Sequence, residues 1–262
     1  MIIVISPAKT LKRLNIPYLD QIKKQFKEPV YFKKSLELVS VLKTLSSKEL
    51  EKLLDVSPNI AELNYERYKN FPEKLIFDES YPAIFLFYGD VYKGFEFNSY
   101  EIKDLEFIQN HLRILSGLYG ILKPLDLIYP YRLEMGTDLS KYKSFSVPNL
   151  YEFWKEDITD FLNKELKKHK NSYLINLASN EYFSVIDLER LNFPVINIYF
   201  QEKRNGGYKT IALNAKRARG KMANWIIRNQ IDEPEKLKQF NVDNYKFSKE
   251  KSDEFNWYFL KN

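Results

Sequence analysis

The chain has 262 residues, of which 44% are hydrophobic and 29% are charged, and it contains no cysteine. Disorder along the whole chain is excluded, because enough apolar surface is present to offset the entropy lost on folding. The lack of cysteine excludes disulfides, thiolate metal sites and cysteine nucleophiles. Lysine and arginine outnumber aspartate and glutamate by 41 to 35, and the net charge of +6 permits an anionic partner without requiring one.

The sequence lacks membrane-spanning segments, a signal peptide and common cofactor-binding motifs. No apolar run reaches the roughly 18 residues that a membrane-spanning helix needs, and residues 1–7 lack the basic leader of a signal peptide. We therefore expect a cytoplasmic protein with no membrane partner. No cofactor is expected, because the Walker, GxGxxG and GxSxG motifs are all absent.

The first part of the chain predicts one buried strand and then helices. The β-branched run over residues 2–5 predicts the strand, which ends at Ser6. Helical spacing begins at residue 35, a capping box over residues 46–49 opens a second helix, and Ser57-Pro58 opens a third. We expect a single domain over residues 1–262, with this mainly helical segment near residues 35–71 as an insertion.

The rest of the chain alternates apolar runs with helical stretches. The apolar runs predict strands over residues 83–88, 112–115, 173–177, 194–200 and 208–213. Helices are predicted over residues 105–111, 150–167 and 215–230. The turn at residues 204–207 predicts a hairpin between the last two strands. The alternation favours an α/β (mixed α+β) fold, with a central mixed sheet flanked by helices and an antiparallel edge hairpin.

Polar side chains follow several of the predicted strands, among them Lys9, Asp90, Ser116, Glu181 and Lys216. Ligands of open α/β sheets bind beyond the carboxyl ends of the strands. Parallel strands would therefore bring these side chains into one pocket. An ordinary polar surface fits the same pattern, and spacing alone does not decide between the two.

Two charged segments add to this pattern. Arg132 and Glu134 are two residues apart, so an extended chain presents both on one face, either to bind an anion or as a surface ion pair. Lys216 and Arg219 stand near the start of a predicted helix, where cations oppose the helix dipole unless an anion is near. The first segment alone favours an ion pair, and the second favours anion binding over a solvated basic face.

The glycine-containing segment over residues 115–120 has two interpretations. It could be the turn of a helix-hairpin-helix, whose backbone N–H groups contact DNA phosphates, although Pro124 limits the second helix. Alternatively, residues 112–115 form a strand and the glycines form a ligand loop. Residues 50–70 are another helix–turn–helix candidate, but their turn has no basic residue and plain packing explains it better.

His111 and His169 are the only histidines, and neither belongs to an HxxxH or HxxE pattern. A metal site at His111 would need a carboxylate such as Asp126 or Glu134 beside it. We therefore expect structural histidines and no metal site.

Several of these segments resemble motifs of the YaaA family of bacterial peroxide-stress proteins. The matching segments are spread over nearly the whole chain: residues 5–11, 89–94, 111–120, 125–128, 130–136, 176–182 and 215–220. The resemblance implies a role in survival of hydrogen peroxide, with lower free intracellular iron and less oxidative damage to DNA and protein. It also implies an unusual α/β fold with a positively charged cleft and a helix-hairpin-helix element that binds DNA.

Two functions follow from these residues. The first is sequence-independent binding of double-stranded DNA. Residues carried over from the matching motifs would be phosphate contacts (Lys9, Arg113, Arg132, Lys216 and Arg219) and the hairpin (Ser116, Gly117 and Gly120). The second is an enzyme that acts on a small-molecule ligand such as a nucleoside, a nucleotide or a nucleic-acid base. Simple phosphate binding does not need carboxylates, so Asp90, Glu134 and Glu181 are the candidate catalytic residues.

The shape of the site distinguishes the two functions. A small closed pocket would favour a small molecule, and a long open groove would favour a duplex. Direct iron sequestration is a poor third hypothesis, because the chain has no cysteine and only one histidine near scattered carboxylates.

Overall fold

The structure is a computed structural model that describes residues 1–262 and contains ten strands and nine α-helices. The strands are β1 (Ile2–Ile5), β2 (Tyr81–Pro82), β3 (Leu112–Ser116), β4 (Gly120–Leu122), β5 (Leu127–Ile128), β6 (Leu174–Leu177), β7 (Val195–Arg204), β8 (Gly207–Lys209), β9 (Lys246–Phe247) and β10 (Asn256–Lys261). The helices are α1 (Leu19–Ile22), α2 (Phe32–Leu42), α3 (Ser47–Leu54), α4 (Pro58–Lys69), α5 (Ala83–Leu86), α6 (Ile102–His111), α7 (Leu150–Leu166), α8 (Asn180–Phe183) and α9 (Ala212–Arg228). Short 3₁₀ turns cover Lys23–Gln25, Tyr92–Gly94, Phe97–Ser99 and Pro234–Gln239. None of the helices combines the length and the apolar composition that crossing a membrane requires.

Eight strands form one sheet in the order β4-β3-β1-β6-β7-β10-β9, with β8 paired to β7. The five strands β3, β1, β6, β7 and β10 run parallel to their neighbours, and β4, β8 and β9 are antiparallel. Strands β2 and β5 pair separately. This architecture confirms the predicted α/β class, with a central mixed sheet, flanking helices and an antiparallel hairpin formed by β7 and β8.

Strand β1 lies in the interior of the parallel part of the sheet, between β3 and β6. Its four residues are all apolar and fully buried, as expected for a parallel strand covered on both faces. Ile3 is opposite Leu112 of β3 on one side and Ile175 of β6 on the other. One hydrophobic core runs from Met1 to Phe259 and includes side chains of α2, α3 and α4.

The order of the strands creates a crevice between β1 and β6. The chain that leaves β1 reaches β3 on one side, whereas the chain that leaves β6 reaches β7 on the other side. In open α/β sheets, such a change of direction is where ligands bind, beyond the carboxyl ends of the strands. The residues that follow β1 and β6 are Ser6 and Ala178-Ser179.

Two strand predictions are wrong. The apolar run at residues 83–88 begins with helix α5, whose four residues are all buried. An apolar run that is buried on every side shows no periodicity, so its sequence does not separate a strand from a helical turn. The predicted strand over residues 208–213 ends at Lys209, and helix α9 begins at Ala212. The aromatic C-terminal segment packs on the body of the protein as strand β10 beside β7.

The segment at residues 115–120 is a β-hairpin and not the turn of a helix-hairpin-helix. Strand β3 pairs antiparallel with β4, and Ser116 is opposite Gly120. The other candidate is a pair of packed helices, α3 and α4. The predicted capping box at Ser46 and Glu49 is present, and Asp55 ends α3 in the left-handed conformation before Pro58 begins α4.

Candidate functional site

Five separate segments of the chain line one pocket of about 260 Å³ beyond the carboxyl ends of β1 and β6. The pocket contains seven of the sequence-predicted site residues: Lys9, Asp90, Arg132, Glu134, Glu181, Lys216 and Arg219. The side chains that the sequence analysis expects beyond the strand ends therefore do meet, apart from Ser116, which lies behind the pocket wall.

Ser6 and Ser179 form the floor of the pocket. The backbone N–H of Ser179 donates a hydrogen bond of 2.9 Å to Oγ of Ser6, and the Ser6 hydroxyl lies 3.2 Å from Oγ of Ser179. The hydroxyl of Tyr92 donates to the carbonyl of Ser6 at 3.1 Å. These bonds join the ends of β1 and β6 to the turn that carries Asp90.

A backbone contact holds the Asp90 turn against α9. Gly94 and Gly220 lie so close that a Cβ atom on Gly220 would come within 1.8 Å of the carbonyl oxygen of Val91. A Cβ atom on Gly94 would come within 2.5 Å of the Gly220 backbone. The two glycines therefore permit a close approach that sets Asp90 beside the cations of α9.

The segment with Arg132 and Glu134 rests on the β3–β4 hairpin. Ser116 Oγ and the Tyr131 hydroxyl lie 2.6 Å apart in a buried hydrogen bond. A Cβ atom on Gly117 would come within 2.3 Å of the Leu133 carbonyl oxygen, so only glycine allows this approach. The hairpin residues thus position the pocket wall from behind.

Ion pairs neutralise some of the charged groups in the pocket. Glu134 accepts from Lys9 at 2.5 Å and from Arg132 at 2.8 Å. Asp90 lies 3.3 Å from the Nε of Arg217. Glu134 and Asp90 are therefore already compensated by cations.

Lys216 and Arg219 of α9 form no ion pair, so they are the free cations of the pocket. Nε of Arg219 is buried and has no hydrogen-bond partner. Burial lowers the pKa of Arg219, but a guanidinium group stays charged in proteins. An unpaired, desolvated guanidinium group beside a lysine is suited to binding an anion such as phosphate.

Glu181 is the free carboxylate of the pocket. It accepts a hydrogen bond of 3.2 Å from the backbone N–H of Gly136 and forms no ion pair. A carboxylate without a cationic partner is available to accept a proton or a hydrogen bond from a ligand. The structure thus distinguishes Glu181 from the two other candidate catalytic residues.

Tyrosine side chains form the apolar part of the pocket wall. Tyr92, Tyr131 and Tyr182 are buried, and burial raises the pKa of each hydroxyl group, so these hydroxyl groups stay neutral. Tyr88 is half-buried, and the ammonium groups of Lys12 and Lys93 lie 5.5 and 5.6 Å from the centre of its ring. Aromatic walls of this kind pack against flat ligands such as nucleic-acid bases.

An open groove of about 690 Å³ continues from the pocket, and the two share Lys9, Glu134 and Glu181. The end of α3 forms one side of the groove, with Lys52, and residues 136–142 contribute Lys141. Neither lysine is predicted from the sequence as a site residue, because each stands in an ordinary polar stretch with no motif around it. Neither of them forms an ion pair.

Arg113 and the three hairpin residues do not line the pocket. The Arg113 side chain is 1% exposed, and its guanidinium group binds Glu165 at 2.7 Å. Ser116, Gly117 and Gly120 are also buried, and Gly120 has a positive φ of 70° where it packs against Trp154. These burial values disagree with the interpretation of the four residues as phosphate contacts, because no phosphate reaches them in this fold.

The two histidines lie together at the opposite end of the sheet. His111 precedes β3 and His169 precedes β6, and their ring centres are 4.8 Å apart. The carboxylate beside them is Asp232, and not Asp126 or Glu134.

Comparison with known sequences places the chain among proteins of similar length. The sequence profile of a family described as "Peroxide stress protein YaaA" matches residues 1–251. The chain is 46% identical to the UPF0246 protein lpl1317 of Legionella pneumophila (strain Lens) over 251 residues, which is 95% of each protein. It is 44% identical to the UPF0246 protein of Crocosphaera subtropica over 264 residues, which is 100% of each protein.

Proposed function

This chain belongs to the family of peroxide stress protein YaaA, which supports a role in peroxide stress, and we propose that it fulfils this role by binding DNA. We propose further that one unpaired nucleotide of the DNA enters the pocket. The observation that carries the proposal is the meeting of two free cations, Lys216 and Arg219, with aromatic walls in one pocket.

The size of the pocket determines how DNA would bind. A volume of about 260 Å³ has room for a single nucleotide unit, whereas a duplex is too wide to enter. A nucleotide of a duplex reaches such a pocket only when it leaves the base stack, which is easiest at mismatched or single-stranded positions. The neighbouring phosphates would then lie along the groove that contains Lys52 and Lys141.

Electrostatics give this binding a measurable signature. Each phosphate neutralised by lysine or arginine releases counterions, so affinity falls as the salt concentration rises. In this proposal the lysine and arginine side chains contact the phosphate backbone of the DNA and not the base edges. Binding is therefore expected to be largely independent of the base sequence.

The test compares two variants of equal net charge. The double variant Lys216→Ala with Arg219→Ala should weaken binding to DNA and lower the slope of log affinity against log salt by about 0.9 for each lost contact. The control is Lys164→Ala with Lys167→Ala, at the far end of α7, which should leave the slope unchanged. Equal slopes in the two double variants would contradict the proposal.

A comparison of four ligands distinguishes a nucleotide that belongs to DNA from a free nucleotide. Fluorescence anisotropy would compare a paired duplex, a duplex with one mismatch, a single strand and a free mononucleotide. We expect the mismatched duplex to bind more tightly than the paired one. If the mononucleotide alone binds at low micromolar concentration and DNA does not compete with it, the ligand is a free nucleotide.

A second candidate function is an enzyme that acts on the bound nucleotide, and Glu181 is the observation that favours it. Phosphate binding gains nothing from a free carboxylate in the pocket, since like charges repel. A carboxylate could instead serve as a general base or bind the edge of a base. Glu181→Gln should then abolish peroxide protection in cells and leave the DNA affinity unchanged. Unchanged protection in both Glu181→Gln and Asp90→Asn would contradict this candidate.

We also propose, from the family alone, that the protein acts in the cytoplasm and that its presence lowers free intracellular iron. The measurement is the level of chelatable iron, by electron paramagnetic resonance, in cells with and without the gene during peroxide exposure. An unchanged level of chelatable iron would contradict the proposal about iron. It would not bear on the proposed binding of DNA in the pocket.

A further inference from the structure

A second cluster of polar side chains lies at the amino ends of β1, β3 and β6, on the opposite side of the sheet from the pocket. His111 ends α6, His169 lies in the loop before β6, and Asp232 follows α9. One potential ligand atom from each of the three residues can be chosen so that all lie within 4.8 Å of one another. Both histidines of the chain are in this cluster, although 58 positions of sequence separate them.

The structure holds the ring of His111 on two sides. Its Nδ1 lies 2.8 Å from the carbonyl oxygen of Met1 and 3.6 Å from Oδ1 of Asp232. The ring also stacks on Phe107, with the ring centres 3.9 Å apart. A hydrogen bond from one ring nitrogen to a backbone carbonyl is the usual support of a metal-binding histidine, because it fixes the ring and leaves the other nitrogen with its lone pair.

We propose that His111, His169 and Asp232 bind a divalent first-row transition-metal ion of the Zn²⁺ class. Two imidazoles and one carboxylate are a ligand set that such ions accept, and the remaining coordination positions would be open to water. Access from solvent is available, since the Asp232 side chain is 34% exposed. This site is independent of the nucleotide pocket, and it neither requires nor supports DNA binding.

A purely structural role is the competing explanation. The ammonium group of Met1 donates a hydrogen bond to Oδ1 of Asp232, so this carboxylate already has a partner in the absence of metal. In that case the histidines would only pack around the buried amino group. The two explanations differ in whether the cluster takes up a metal ion.

The test is calorimetric titration of the full chain with ZnCl₂, using protein that carries no polyhistidine tag. The chain offers a low background, because it has no cysteine and no histidine outside the cluster. We expect one Zn²⁺ per chain, and at least tenfold weaker binding in His169→Gln and in Asp232→Asn. The control Glu156→Gln, at an exposed position, should bind Zn²⁺ as the parent does.

A spectroscopic measurement covers the case in which a variant folds poorly. The imidazole protons of the parent protein give only two sets of NMR signals, and both should shift when Zn²⁺ is added. Co²⁺ should give the absorption bands of a four- or five-coordinate site. Signals that stay unchanged at millimolar Zn²⁺, or equal affinity in parent, His169→Gln and Asp232→Asn, would overturn the proposal.

Discussion

The Oγ atom of Ser6 accepts a 2.9 Å hydrogen bond from the backbone N–H of Ser179 and thereby ties the end of β1 to the end of β6. The two residues are 173 positions apart in the sequence. The bond lies at the point where the chain leaves the sheet in opposite directions. It therefore fixes the floor of the pocket from which Glu181 and the α8 helix extend.

Ser6→Ala should destabilise the fold and weaken ligand binding together. The substitution leaves the half-buried N–H of Ser179 without its partner, which costs about 1–3 kcal/mol. Urea denaturation and the affinity for DNA measure the two effects. Ser40→Ala, on the exposed face of α2, is the control and should change both quantities little. A stable Ser6→Ala variant with the affinity of the parent would show that the bond does not shape the site.

Gly220→Ala should destabilise the protein, although the same change inside an exposed helix normally adds stability. A Cβ atom at this position would meet the Val91 carbonyl, so helix α9 and the Asp90 turn must move apart. Overpacking of this kind costs about 1–3 kcal/mol. Chemical denaturation measures the free energy of unfolding of the variant and of the parent. A variant more stable than the parent would contradict the close contact between Gly220 and the Val91 carbonyl.

Glu165→Gln should destabilise the protein at neutral pH and have a much smaller effect in acid. Burial alone would raise the pKa of Glu165, but hydrogen bonds from Lys168, Lys123 and Arg113 lower it to about 2. Since this pKa lies below the value of 4.5 for a free glutamate, the ionised form stabilises the fold above pH 4.5. That stabilisation, about 3 kcal/mol, is lost as the pH falls from 4.5 toward 2.

The measurement for Glu165 is the free energy of unfolding of both proteins between pH 3 and pH 7. The difference between them should be largest near pH 7 and shrink below pH 4.5. Glu156→Gln serves as the matched control, because its carboxylate is 80% exposed. A difference that does not depend on pH would show that the charge of Glu165 is not what stabilises Arg113.

Lys52→Ala with Lys141→Ala separates the groove from the pocket. Both lysines line the groove and neither lines the pocket, so this variant should lose DNA affinity and salt dependence. It should bind a mononucleotide as the parent does, whereas Lys216→Ala with Arg219→Ala should lose both ligands. Anisotropy titrations with the two ligands decide the point. An unchanged salt slope in the groove variant would mean that DNA does not follow the groove.

Local patterns in the sequence predicted the fold class and named seven residues that line the pocket, although spacing alone left an ordinary polar surface as an equal alternative. Strand β1 is a pure β-branched run, the capping box precedes α3, and Gly206-Gly207 forms the β7–β8 turn. Polar residues such as Lys9 and Glu181 directly follow parallel strands, so the topology alone brings them together. For these two residues the rule that parallel strands end at one edge accounts for their meeting.

What the sequence could not reveal depends on distant contacts. The apolar run 83–88 has no period, and only its packing decides that it begins with a helix. Arg113, which the sequence suggests as a phosphate contact, is buried and pairs with Glu165, 52 positions away. Likewise, the partner of the two histidines is Asp232, which no spacing rule connects to them. Such pairs follow from tertiary structure and leave no local signature.

The position of β1 between two strands that come much later in the chain has a consequence for biosynthesis. Its residues leave the ribosome early, yet one flanking strand arrives with Leu112 and the other with Leu174. At roughly 5–20 residues per second, the second neighbour emerges about ten to thirty seconds later. Until Leu112 has emerged this fully apolar segment has no strand to pair with, and until translation has passed β6 it has only one, so the nascent chain is expected to depend on chaperone capture during this interval.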